Sequence, residues 1–196
     1  MSASAAGGAR IVVLAPHAER IQRAETRPIA PRLASLQGAR IGFVDNGFSA
    51  VAILHDEFRR GLAAYAIAPV IERKRYWRPL DPDRLDALAG GVDAVIGGLC
   101  NTPPSTAWGT YDAVELEKRG RPTLTLATAY YEDLLAESVL NEGMPELRRV
   151  LLPYPLEGQP EALIREVARA AIPIVVAALT DGMGPTVSRV PVPTEP

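Results

Sequence analysis

The chain has 196 residues, 47% of them hydrophobic and 22% charged, the composition of a folded single-domain protein and not of a disordered or fibrous one. A formal net charge of -2 and a pI near 5.8 supply no basic field for nucleic acid or an anionic membrane surface, so neither is expected as a partner. A single cysteine excludes an internal disulfide and a cysteine-rich zinc site, and His17 and His55 lack metal-ligand spacing, so neither a metal nor another cofactor is expected.

The N-terminus, MSASAAGGAR, has no charged start followed by an apolar stretch, and no apolar run reaches transmembrane length, which makes the cytoplasm the expected compartment. ARIVVLAP, residues 9–16, reads as a short strand. Residues 17–38, with Pro28 and Pro31 and little periodicity, read as an arm or a long connector. ARIGFVDNG, 39–47, is a buried strand ending in a turn, and FSAVAILHDEFRRGLAAY after it has helical spacing. Ala68 to Glu72 reads as a strand, DPDRLDALAGG as a helix capped by Asp81, and VDAVIGG as a continuous apolar strand.

A glycine- and proline-bearing loop then enters a helix from about Ser105 to Arg119. PTLTLAT, 122–128, is a strand, YYEDLLAESVLNEG a helix closed by Gly143, and RRVLLPYP a strand. QPEALIREVARAAIPIVVAALT is largely helical, with Pro173 expected to break or kink it. The tail from residue 181 carries too many prolines and too few apolar residues for a regular element. It is expected to be disordered or laid across a neighbouring subunit.

Strands alternating with helices specify an α/β fold, a three-layer Rossmann-like domain with a mainly parallel sheet over 39–180. The N-terminal strand and connector, 1–38, and the tail, 181–196, are read as arms. Two arms on such a core point to a homodimer, or to a hetero-oligomer with a relative. Ligands of such sheets bind at the carboxyl ends of strands, which selects the loops VDNGFSA and GGLCNTPPSTAWGT.

In the second loop, Asn101, Thr102, Ser105 and Thr106 place short polar groups at a helix entrance whose N–H groups suit a carboxylate or phosphate. The competing reading is that Ser105 or Thr106 simply caps the helix. Cys100 reads as a nucleophile activated by that helix or as a small buried residue. Asp112 and Glu115, three apart, are candidate acid–base groups or dipole complements. Asp45 and Asn46 end a strand, as ligand contacts or as turn formers. Trp108, Thr128, Tyr130 and Tyr131 are candidate pocket walls. The run ERKRYWR, 72–78, can grip an anion or stack on a base, or form a solvated face. No GxGxxG or Walker A loop is present.

IGFVDNGFSA, AVIGGL, STAWGTYDAVELEKRGRPTLTLAT and LLPYPL, in that order within residues 11–172, resemble the blocks of the UGSC-like proteins, thiol or selenol oxidoreductases that include selenoproteins. The most specific stretch is W-x-x-x-D-A-V-E-L-E-K-R-G-x-P-T, Trp108 to Thr123. The resemblance implies a motif of selenocysteine or cysteine, glycine, serine, cysteine just before it. Aligned without gaps, this chain has Thr102, Pro103, Pro104 and Ser105 there, so both redox positions lack sulfur or selenium and a dithiol cycle within one chain is impossible. Cys100 falls two residues upstream of the first.

Three functions follow as expectations. The first is a non-redox enzyme of lyase, hydratase or hydrolase type acting on a small anionic or carbonyl-containing molecule, with Asn101, Thr102, Ser105 or Asp45, together with Asp112 or Glu115, as its catalytic groups. The second is thiol-dependent oxidoreductase or transferase chemistry at Cys100, and the third a non-catalytic partner subunit of an active relative.

Overall fold

The computed structural model describes residues 24–182 and 184–192; the strand expected at 9–16 lies outside them. One sheet contains β1 (Arg40–Asp45), β2 (Ala68–Arg73), β3 (Ala94–Cys100), β4 (Thr123–Thr128), β5 (Arg148–Leu152) and β6 (Val187–Arg189). Its order is β2-β1-β3-β4-β5-β6, and every pairing is parallel. The helices are α1 (Ser49–Gly61), α2 (Pro82–Gly91), α3 (Pro103–Lys118), α4 (Glu132–Asn141) and α5 (Glu161–Thr180). The chain steps outward from β1 to β2, then back past β1 to β3 and onward. That reversal opens a crevice between the carboxyl ends of β1 and β3. No helix among the described residues is long and apolar enough to cross a membrane.

A parallel sheet must be covered on both faces, and alternate residues divide accordingly. Ile41, Phe43, Leu124, Leu126, Val150 and Leu152 pack with Leu54 and Phe58 of α1 and Val167 and Val175 of α5. Val44 and Val95 meet Leu85 and Leu88 of α2 and Leu116 of α3. Ala127 and Leu151 meet Val114 of α3 and Val139 of α4. The result is three layers: α1 and α5, the sheet, then α2, α3 and α4.

β3 breaks the period of two. Its register against β4 shifts between Ile96 and Leu99, at Gly97 and Gly98, so that Ile96 and Leu99 both face α1 and α5. Regular alternation would send Cys100 to the face of Ile96; the irregularity turns it toward α3 instead.

Several expectations are corrected. α3 begins at Pro103, two residues early, because a proline at the first helical position gives up an N–H that would be unpaired anyway. Asp81 occupies the N-cap position of α2, but its carboxylate meets Arg78 at 3.3 Å and makes no cap hydrogen bond. Pro173 does not break α5, which runs from Glu161 to Thr180. Buried residues on both sides of it, Ala168 and Ala171 before, Val175 and Leu179 after, hold the helix on the sheet against the loss of one backbone bond.

The tail does form a regular element over its described part, since β6 pairs with β5 of the same chain. The cause is Arg148, 4% exposed. Its guanidinium donates to the carbonyls of Gly182 at 2.8 Å and Pro185 at 2.7 Å, and also to those of Asp181 and Gly184. One buried cation thus gathers the chain leaving the C-terminus of α5 and lays it beside β5.

The connector packs along the other end of the domain. Glu117 of α3, 3% exposed, accepts the Ala30 N–H at 2.5 Å, Arg32 at 2.9 Å and the Thr123 N–H at 2.6 Å. Leu36 is fully enclosed in the core.

His55 of α1 is 4% exposed, edge-on to Phe43 at 5.2 Å, with Nε2 3.3 Å from the Gly97 carbonyl. A carbonyl only accepts, so Nε2 carries the proton of the neutral ring. Burial pushes the pKa down to about 4, with the Gly97 carbonyl and Asp45 pulling the other way. The unfolded ring takes a proton near pH ~6.5, so the unfolded state binds more protons between that pH and about 4. Stability therefore falls as pH is lowered through this window, by about 3 kcal/mol in all. Urea unfolding across pH should show that slope in the native chain, and His55→Gln should flatten it.

Candidate functional site

At the end of β1 the chain turns through Asp45, Asn46 and Gly47. Asp45 Oδ1 accepts the Gly47 N–H at 3.0 Å, and Gly47 has φ +88°, a conformation that favours glycine. Asp45 Oδ2 lies 3.6 Å from Arg73 Nε at the end of β2. Asn46 is 3% exposed. Its amide donates to the Leu99 carbonyl at 3.0 Å and accepts the Leu99 N–H at 3.3 Å, supplying across the crevice the pair of bonds that a further β1 residue would make. A Cβ on Gly98 would stand 2.6 Å from Asn46 Cγ. Asn46 is therefore a structural clasp that needs glycine opposite it.

The loop after β3 is satisfied internally. Thr102, and neither Ser105 nor Thr106, caps α3: its Oγ1 accepts the Ser105 N–H at 3.3 Å. Ser105 Oγ accepts the N–H groups of Asn101 and Thr102, both at 2.9 Å, and faces the Thr102 carbonyl at 3.0 Å. Thr106 gives its N–H and its hydroxyl to the same carbonyl, each at 2.9 Å. Thr128 Oγ1 donates to Asn101 Oδ1 at 2.9 Å. Pro103 and Pro104 have no N–H at all. The first turn of α3 thus has no free donor for an anion, contrary to the expectation at this entrance. The entrance of α1 is filled as well: Glu157 accepts the Ser49 N–H at 3.0 Å and the Ala50 N–H at 3.1 Å.

Cys100 is fully buried, with Sγ 3.7 Å from the Ser105 carbonyl. Burial pushes its thiol up to about 12, and nearby Lys74 only partly offsets this. It is a packing residue: a Cβ on Gly109 would lie 3.1 Å from its sulfur, so α3 keeps a glycine where Cys100 meets it. Asp112 is 3% exposed; it accepts the Leu80 N–H at 2.8 Å and pairs with Lys74, whose side chain is equally enclosed. Burial raises its pKa, opposed by Lys74. Both carboxylate oxygens are committed, so Asp112 anchors a loop and is not a free base. Glu115 pairs on the surface with Lys118 at 2.7 Å and Arg119 at 2.6 Å.

Trp108 is exposed, edge-on to Tyr111 at 6.3 Å. Tyr130 is exposed and stacks on Tyr154 at 4.8 Å, with Tyr131 alongside at 5.1 Å. These rings form their own cluster at the ends of β4 and β5.

The loop that Asp112 anchors borders an open cleft of about 500 Å³, walled by Asn46, Gly47, Arg73, Tyr76, Trp77 and Arg78 among others. Lys74 and Asn46 separate it from an inner void of about 20 Å³ beside Gly97, Gly98 and Asp112. Sequence reasoning selected Asp45 and Asn46 on this crevice and left its far wall open between an anion or base grip and a solvated face. The signal was the run at 72–78, whose importance depends on β2 lying directly beside β1.

Two outcomes test these assignments. Iodoacetamide should leave Cys100 unmodified in the native protein and alkylate it once the chain is unfolded, as read by intact mass. Asp112→Ala should lower stability by about 3–5 kcal/mol in denaturant unfolding, because it strands a buried lysine and a backbone N–H.

Among solved structures, a flavo di-iron protein variant from Thermotoga maritima is similar at a TM-score of 0.46 and 11% identity, covering 73% of this chain and 37% of that one. An oxidoreductase from Corynebacterium diphtheriae is similar at 0.41 and 12% identity, covering 74% and 99%. A diflavin flavoprotein A3 from Nostoc sp. gives 0.41 and 10%, covering 72% and 96%. The chain spans little more than a third of the Thermotoga proteins it matches. No curated protein matches. The profile of the UGSC family matches residues 12–181, most of the chain and all of the elements from β1 through α5. This chain belongs to the UGSC family.

Proposed function

We propose that this chain is a small-molecule enzyme of lyase, hydratase or hydrolase type, acting on a small acid or carbonyl compound in the cleft at the carboxyl ends of β1 and β2. The observation that carries the reading is the cleft itself. It lies beside the reversal of strand order, where sheets of this kind take ligands, and it is walled by Arg73, Arg75 and Arg78. These cations hold the acid group. Asp45, beside Arg73, acts as the base: it takes the proton from the carbon next to the acid group, the C–H electron pair forms the C=C bond, and a β-hydroxyl leaves as water with the proton that Asp45 returns.

Thiol chemistry draws less support, since Cys100 is buried with a thiol pKa near 12.

The test is a panel of short hydroxy, keto and unsaturated acids in deuterium oxide, followed by proton NMR for turnover or exchange of the carbon-bound proton. Asp45→Asn should lower the rate about 100-fold or more, and Cys100→Ser should leave it within about twofold. A rate that survives Asp45→Asn, or one lost in Cys100→Ser with the fold intact, would overturn the reading.

A further inference from the structure

The wall of the cleft after β2 carries more charge than its own partners neutralise. Five cations line it, Arg73, Lys74, Arg75, Arg78 and Arg84, with one carboxylate, Asp81. Lys74 is neutralised from below by Asp112, Arg84 by Glu72 and Arg78 by Asp81. Arg73 reaches Asp45 only at 3.6 Å, with its side chain 84% exposed. Arg75 has no carboxylate partner among the described residues; its guanidinium instead sits 5.2 Å from the centre of the Trp77 ring. In a chain of net charge -2, this is a local surplus of positive charge directed at one cavity.

The same wall carries aromatic rings. Trp77 is 50% exposed, which is costly for so large a ring unless something covers it. Tyr76 stands perpendicular to Trp77 at 4.9 Å and is itself stacked on Phe48 at 5.0 Å. The backbone beneath is tied at both ends: Lys74 N–H donates to the Asp45 carbonyl at 2.8 Å, and Leu80 N–H to Asp112 at 2.8 Å. A prebuilt wall loses little entropy on binding, and about 500 Å³ is ample for a small ring compound.

We infer that the cleft recognises a flat, conjugated ring bearing an anionic group, the anion held by Arg73 and Arg75 and the ring stacked against Trp77. A guanidinium and an indole together favour a π-system over a saturated one of equal charge. The inference rests on the proposed site and narrows its substrate to aromatic carboxylates or to ring-bearing phosphate monoesters.

The experiment is calorimetric titration of the full chain with cinnamate, with adenosine monophosphate, and with cyclohexylpropionate as the saturated control. One of the two ring anions should bind about tenfold more tightly than the control, which also separates carboxylate from phosphate. Trp77→Leu should abolish that preference, and Arg75→Gln should weaken ring anions about fivefold, with melting temperatures unchanged because both side chains are on the surface. If neither cinnamate nor adenosine monophosphate binds more tightly than cyclohexylpropionate, the inference is overturned while the cleft remains an acid-binding site. Failure of all three probes to bind would overturn the cleft reading itself.

Discussion

The carboxyl edge of this sheet depends on one buried carboxylate. Asp112 projects from α3 and receives both Lys74 from the end of β2 and the N–H of Leu80 ahead of α2. Desolvating two charges is expensive, and only close pairing with further hydrogen bonds offsets it. Here the arrangement ties together three elements that share no continuous ladder, and the loop between its two tie points is the one that carries Arg75, Tyr76 and Trp77. A residue that reads in sequence as an acid–base candidate is therefore the foundation of a wall.

A second constraint operates on the neighbouring strand. The irregularity at Gly97 and Gly98 turns Cys100 under α3 and leaves the crevice to be bridged by the amide of Asn46. Capping, clasping and packing consume the hydroxyls and the backbone N–H groups of the loop after β3. The stretch where the family resemblance places redox chemistry has become a sealed helix entrance, with two prolines in place of donors and a serine whose oxygen is already engaged. The groups still open to a guest lie on the other side of the crevice, on the basic and aromatic loop.

Much of the fold is legible in the sequence because its signals are local. Apolar runs bounded by turn residues mark the strands, and their alternation with helical spacing gives the parallel α/β layering. Asp45 and Asn46 follow from the rule that such sheets bind at strand ends. What sequence reading misses is set by contacts distant along the chain. The sixth strand exists because Arg148 gathers carbonyls more than thirty residues away. α5 continues through Pro173 because the sheet holds its buried face on both sides. The direction of Cys100 depends on a one-residue slip that pattern alone does not reveal. The run at 72–78 looks like an ordinary solvated stretch until the topology puts β2 next to β1.

The central claim is that the open chemistry of this fold lies on the β1–β2 side of the crevice and not at the α3 entrance. The most direct measurement is an amide chemical-shift map of the isotope-labelled chain titrated with cinnamate. The account predicts that the largest shifts fall on Gly47, Arg75, Tyr76, Trp77 and Arg78. Shifts concentrated on Asn101, Thr102, Ser105 and Thr106 would contradict it and return the site to the end of β3.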